Sequence, residues 1–402
     1  MESKAEQYLQ KLCIDIPSRL VGSEGNQQAA RFFQEVVGQY GWDVKATQFP
    51  AMDWKEDGAD LKFGDNKFEV FPSPYSNGIS LEGELVAAGT LEDLKASKAG
   101  GKMLLLHGNI AREQLMPKNF IFYNPQEHQE IISCLEEKEP GAILCATSFD
   151  GAVAGGVYPF PLIEDGDFQI PSVYMTDGEG ERLIKELGNI GQLESRAWRR
   201  ESSGVNLVAK KGSDENRRIL ISAHIDAKIG TPGAIDNGTG VVVLLLLAEL
   251  LKDYQSGPVI ELLPFNGEDY YSVPGQMVYL EQNKGLFGEM LININIDGAG
   301  YHHGPSGFSP FNLPREIRSK LDAVLAASES LVEGDPWVQG DHSIFIQQGV
   351  PALAVSSDWF IKNIDSQRIT HTPADHPQIV KHGRVVEIAK AIHEFILTAY
   401  PG

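Results

Sequence analysis

Five short polar clusters hold the side chains that divalent metals prefer. They are His224-Ile225-Asp226, the Gly-Ala-Ile-Asp-Asn-Gly-Thr-Gly run at 233–240, Asn266-Gly267-Glu268-Asp269, Asp297, and Thr370-His371-Thr372-Pro373-Ala374-Asp375. Imidazole and carboxylate ligands suit Zn²⁺. A carboxylate can bridge two ions, and two metals about 3.5–4 Å apart form a hydrolytic centre. Such a centre needs one acid beyond its ligands as a general base. Taken singly, each cluster is an ordinary cap or turn: Asp236-Asn237-Gly238 reads as an N-cap, Asp297-Gly298 as a turn, and His371 as a loop histidine. Their shared placement argues otherwise, because each stands at or past the end of an apolar run.

Those runs define the elements that must position the clusters. From residue 205 onward the pattern is strand then helix, repeated: strands at 218–223, 259–265, 290–296 and 352–356, and helices at 239–254, 313–327 and 383–399. Continuous Ile, Leu and Val strands alternating with helices predict an α/β fold with a mixed, mostly parallel sheet and helices on both faces. In open sheets of this kind, ligands bind beyond the carboxyl ends of the strands. Near the start, helical spacing covers 3–13 and 24–40, with Ser23 as N-cap and Gly41 as terminator, followed by a strand at 42–49. Between 55 and 197 the texture changes to short β-like runs at 61–63, 68–71, 83–87, 102–106 and 142–146, with helix-like pieces at 126–137 and 178–187. No metal-like cluster falls there. The expected organisation is a catalytic domain of residues 1–54 and 198–402, carrying an inserted, smaller, β-rich α/β domain at 55–197.

The chain has 402 residues and a net charge of −21. That charge disfavours nucleic acid and anionic membrane partners, which call for clustered Lys and Arg. The longest apolar run, 241–248, is far short of the ~20 residues of a membrane span. Three cysteines without a CxxC pair argue against a disulfide framework, and Cys134 and Cys145 read as packing residues. The N-terminal MESKAEQYLQKL has no apolar signal core. The expectation is a cytoplasmic protein, or a secreted one if a leader was removed. The glycine-rich stretch 151–156 is no phosphate loop, and Gly155-Gly156 reads as a turn. The oligomeric state is open, and a homo-oligomer is compatible with the sequence.

The ordered set HxD, GAxDNxxG, NGED, NIDxxG and HTPxD resembles the M28 family of zinc aminopeptidases, over about 205–402. The segment IPSRLVGSEG is also family-like. The insertion, closing on Ile170-Pro171-Ser172-Val173-Tyr174-Met175-Thr176, resembles a protease-associated (PA) domain. The resemblance implies two Zn²⁺ ions, with Co²⁺ or Mn²⁺ as substitutes, and a peptide substrate. It implies that Asp236 bridges both ions, that His224 and Asp297 complete one ligand set and that Asp269 and His371 complete the other. Glu268 would be the general base. Asp226 would orient His224, and Asp375 would do the same for His371. Many family members have Glu-Glu where this chain has Glu268-Asp269, so the second ion is expected to be held differently. Asp341-His342-Ser343 resembles the family's DH motif, which makes His342 a candidate substrate contact. His302, His303, Trp359, Phe360 and Phe311 are further candidates for the pocket.

An aminopeptidase is the expected activity. A carboxypeptidase or dipeptidase of the same fold shares these ligands. A single-zinc glutaminyl cyclase and a metal-free receptor-like binding protein are the remaining alternatives.

Overall fold

A computed structural model describes residues 1–16, 18–148, 158–364 and 366–401. The stretch read above as a turn, Gly155-Gly156, lies outside them. The chain divides into two compact units, residues 1–51 with 202–402, and residues 52–201. Two long strands, β1 (Asp43–Phe63) and β2 (Ile190–Lys211), carry the chain across the divisions.

The larger unit opens with α1 (Glu2–Gln10) and α2 (Glu24–Gln39). The Ser23 side chain accepts from the Asn26 amide and caps α2, and Gly41 follows the helix at φ +71°. Strands β3 (Asp214–His224), β4 (Pro258–Phe265), β5 (Met290–Ile296), β6 (Ser306–Phe311), β7 (Leu331–Glu333) and β8 (Ala352–Ser357) then build the sheet. Its order is β7-β6-β8-β5-β3-β4-β2. The four central strands run parallel, while β6 and β2 join antiparallel.

Every residue of β4 is buried, so both sheet faces are covered. Ile260 and Leu262 join the core formed with α1, α2, the helix α3 (Thr239–Leu250) and the C-terminal helix His382–Ala399. Phe265, on the alternate side of the pleat, stacks on Tyr279 of α4 (Pro274–Gln282) and on Phe345 of α5 (His342–Gln347). Helix α3 is buried at each position from Thr239 to Ala248, as a helix apolar on all sides must be.

The smaller unit has its own parallel strands, Ile79–Ala88, Met103–Leu106, Ala142–Thr147 and Ser172–Thr176. Helices Leu91–Ala96, Gln126–Lys138 and Asp177–Leu183 accompany them. Cys134 and Cys145 are buried in its core. Among the described residues, no helix is long and apolar enough to cross a membrane.

Candidate metal centre

Strand register sets the site. His224 ends β3 and lies beside Phe265, the last residue of β4. Ile296, the last residue of β5, pairs with Val355, and the Asp297 amide donates to the Val355 carbonyl. Three parallel strands therefore stop at one level. Their next residues, Asp297 on one side and Asn266 to Asp269 on the other, flank His224 at the carboxyl edge of the sheet.

There the sequence-predicted ligands converge. His224 Nε2 lies 3.0 Å from Asp236 Oδ1 and 3.7 Å from Asp297 Oδ1. His371 Nε2 lies 3.1 Å from Asp236 Oδ2 and 3.3 Å from Asp269 Oδ1. Asp236 thus turns one oxygen to each histidine and divides the five side chains into two sets. Ligand atoms of His224, Asp236 and Asp269 all fall within 4.8 Å of one another. His224 and Asp269 are buried, and His371 is reached through a left-handed backbone, φ +61°.

The donor set fits a metal. Tetrahedral ligands held about 2.0–2.1 Å from Zn²⁺ stand roughly 3.3 Å from each other, close to the spacings within each set. Asp269 Oδ2 is buried and has no hydrogen-bond partner, a cost that coordination would remove. Without an ion the charges must balance among themselves. Burial pushes both imidazoles toward neutrality, yet Asp236 and Asp297 drive His224 well above its usual range, and Asp269 and Asp236 do the same to His371. Asp236 is itself held far below the carboxylate range: burial opposes ionisation, and the two histidines overcome it. Glu268 belongs to neither set. Burial raises its carboxyl well above the ordinary value against the pull of His224, and Asp269, Asp297 and Asp341 raise it further.

Two carboxylates beside the histidines in sequence turn to backbone amides. His224 Nδ1 faces the backbone carbonyl of Asp226 at 3.2 Å, with the nearer carboxylate oxygen 3.8 Å away. The Asp226 carboxylate instead accepts from the amides of Gly267, Glu268 and Asp269. It holds the loop that carries Glu268. Asp375 makes no such bond to His371: its carboxylate accepts from the amides of Ile235 and Asp236. Carboxylates satisfy consecutive amides well, so the side chains found better partners than the histidines they adjoin in sequence.

Candidate pocket residues fare differently. His342 is fully buried, with Nε2 2.9 Å from the Trp337 carbonyl and its ring against Phe311 and Trp337. Burial pushes its pKa down to about 4. His302 and Trp359 both stack on Tyr301, with ring centroids 4.6 and 5.0 Å away, in a group with His303 and Phe360. Among the described residues, no hydrogen bond or ion pair joins this group to the ligands. The sequence reading passed over several supports. Asn26 and Asn266 exchange reciprocal amide hydrogen bonds of 2.8 and 2.9 Å, just before Glu268. Gln276 donates to Asp341.

Solved aminopeptidases share this architecture. The enzyme from Aneurinibacillus sp. strain AM-1 superposes with a TM-score of 0.75 at 20% identity, covering 100% of this chain and 95% of its own. BSAP, a zinc aminopeptidase from Bacillus subtilis, gives a TM-score of 0.73 at 18% identity, covering 99% of this chain and 95% of its own. Residues 206–396 match the model of Peptidase family M28. The chain is also similar to the probable lipoprotein aminopeptidase LpqL of Mycobacterium tuberculosis (strain ATCC 25618 / H37Rv), 24% identical over 66% of this chain and 51% of that protein. The chain spans about half the length of the curated relatives it matches.

Proposed function

We propose that this protein is a metal-dependent aminopeptidase that binds two Zn²⁺ ions. The observation that carries the reading is the split of Asp236, whose two oxygens lie 3.0 and 3.1 Å from different histidines. His224, Asp236 and Asp297 would hold one ion, and His371, Asp236 and Asp269 the other. When bound, the ions would polarise the scissile carbonyl and acidify water. Glu268 accepts the proton that water gives up and returns it to the departing amine. Asp226 keeps the Glu268 backbone fixed during both transfers.

One feature weighs against two of the alternatives. A single-zinc cyclase or a metal-free binding protein has no use for two complete histidine-carboxylate sets. A carboxypeptidase or dipeptidase of the same fold would use the same ligands, and the end of the peptide that is released separates these from an aminopeptidase. We read residues 52–201 as the PA-like unit.

The test is a screen of amino-acid p-nitroanilides and short peptides, with metal content measured alongside. Wild-type protein reconstituted with Zn²⁺, Co²⁺ or Mn²⁺ should release N-terminal residues. Glu268→Gln should lose at least ~10²-fold in turnover while keeping its metals. Near-normal turnover in that variant would remove Glu268 from the mechanism. One ion per chain with cyclisation of N-terminal glutamine would replace the reading.

A further inference from the structure

The loop from 225 to 236 has a ligand on either flank, His224 before it and Asp236 at its end, and two buried residues of opposite charge grip it. Arg19 is 3% exposed. Its Nε donates to the Ile225 carbonyl at 2.9 Å, Nη1 to the carbonyls of Pro232 and Leu12 at 2.9 and 2.8 Å, and Nη2 to that of Gly233 at 2.7 Å. Nη1 also lies 3.6 Å from Cys13 Sγ. Asp375, fully buried, takes the amides. Its carboxylate accepts from Ile235 at 2.7 Å and Asp236 at 3.0 Å, and its own carbonyl accepts from Ala234 at 3.2 Å. The backbone is shaped around this grip. At Gly233, φ +59°, a Cβ would stand 2.7 Å from Arg19 Nη2 and 2.6 Å from the Asp236 carbonyl, so only glycine fits.

We propose that Arg19 and Asp375 are positioning residues for the bridging carboxylate. Arg19 ties the carbonyl after His224 to the carbonyls at 232 and 233, which fixes the span between two ligands of one ion. Asp375 orders three successive amides up to Asp236 itself, which fixes the direction of a side chain serving both ions. Both use charge-assisted bonds, the cation on carbonyls and the anion on amides. Lysine cannot reproduce the Arg19 fork, having one nitrogen for four carbonyls. This inference rests on the two-metal reading above.

The test uses the full chain, stripped of metal and titrated with Co²⁺ against a competing chelator, read by visible d–d absorption, with circular dichroism confirming the fold. The variants are Arg19→Lys and Asp375→Asn. Glu261→Gln, a buried charge removed from a distant ion pair, is the control for stability alone. Arg19→Lys and Asp375→Asn should each weaken Co²⁺ binding about 10–100-fold and shift the d–d band, while Glu261→Gln keeps wild-type affinity. Should Arg19→Lys fail to fold, Asp375→Asn carries the test. Wild-type affinity and spectrum in the gripping variants would overturn the proposal. So would a matching loss in Glu261→Gln, since affinity would then follow stability. If wild-type protein takes up no Co²⁺ at all, the metal reading itself falls.

Discussion

His342 shows how burial decides what a histidine does. Its Nε2 meets the Trp337 carbonyl, and its pKa is pushed down to about 4 by burial, against about 6.5 in an unfolded chain. Between those values the unfolded state binds the proton and the folded state does not, so stability falls as pH drops. The contribution is complete above pH ~6.5 and exhausted below pH ~4. Wild-type protein should lose about 2 kcal/mol relative to His342→Gln between pH 7.5 and pH 5, measured by urea unfolding at each pH. Parallel pH profiles would mean that the ring is not held neutral. Asp269 is the other instructive residue. Its short side chain brings Oδ1 to 3.3 Å from His371 Nε2, on a loop whose 267–269 amides donate to Asp226.

Among the elements, β3 and β4 are joined by more than their ladder. Arg218 meets Glu261 bidentately at 2.9 and 3.0 Å, and Lys210, Tyr279 and Asn283 complete the group. Glu261 is fully buried. Burial alone would raise its carboxyl, but Arg218 and Lys210 hold it below the usual range. Glu261→Gln should therefore destabilise the protein by about 3–5 kcal/mol, because it strands a buried guanidinium. Replacing both partners, Arg218→Met with Glu261→Leu, should cost less. Chemical denaturation of the single and double variants decides this, and a single variant within about 1 kcal/mol of wild type would refute it. The same two strands lead into His224 and the 266–269 loop, so this ion pair anchors the elements that position the proposed metal centre.

For the whole molecule, ligands drawn from five stretches of chain would make metal binding part of the stability of the larger unit. A ligand bound only by the folded state adds about 2.7 kcal/mol at a hundred times its Kd. Chelation should lower the melting temperature and raise amide exchange in residues 224–238, 266–273 and 366–376. Strands Met103–Leu106 and Ala142–Thr147 of the smaller unit should keep their protection. Hydrogen exchange with and without chelator checks both statements. Equal deprotection everywhere would mean that the centre is not confined to the larger unit.

The sequence by itself determined the class of fold and the chemistry available to it. Apolar strands alternating with helices dictate a covered parallel sheet, and residue type dictates which side chains can ligate; both are local properties. It read the capped helix at 24–40 and the buried helix after Asp236 from the same local rules. Strand β2, the short β7 and helix α4 escaped it, since their residues lack a clear period. Only the tertiary structure decided which oxygen of Asp236 faces which histidine, and that Asp226, Asp375 and Arg19 grip backbone. The bonds of Asp375 and Arg19 join residues 140 and 206 positions apart. The direction of a carboxylate follows from the amides packed against it, and the chain selects those amides by folding, whatever stands beside the residue in sequence.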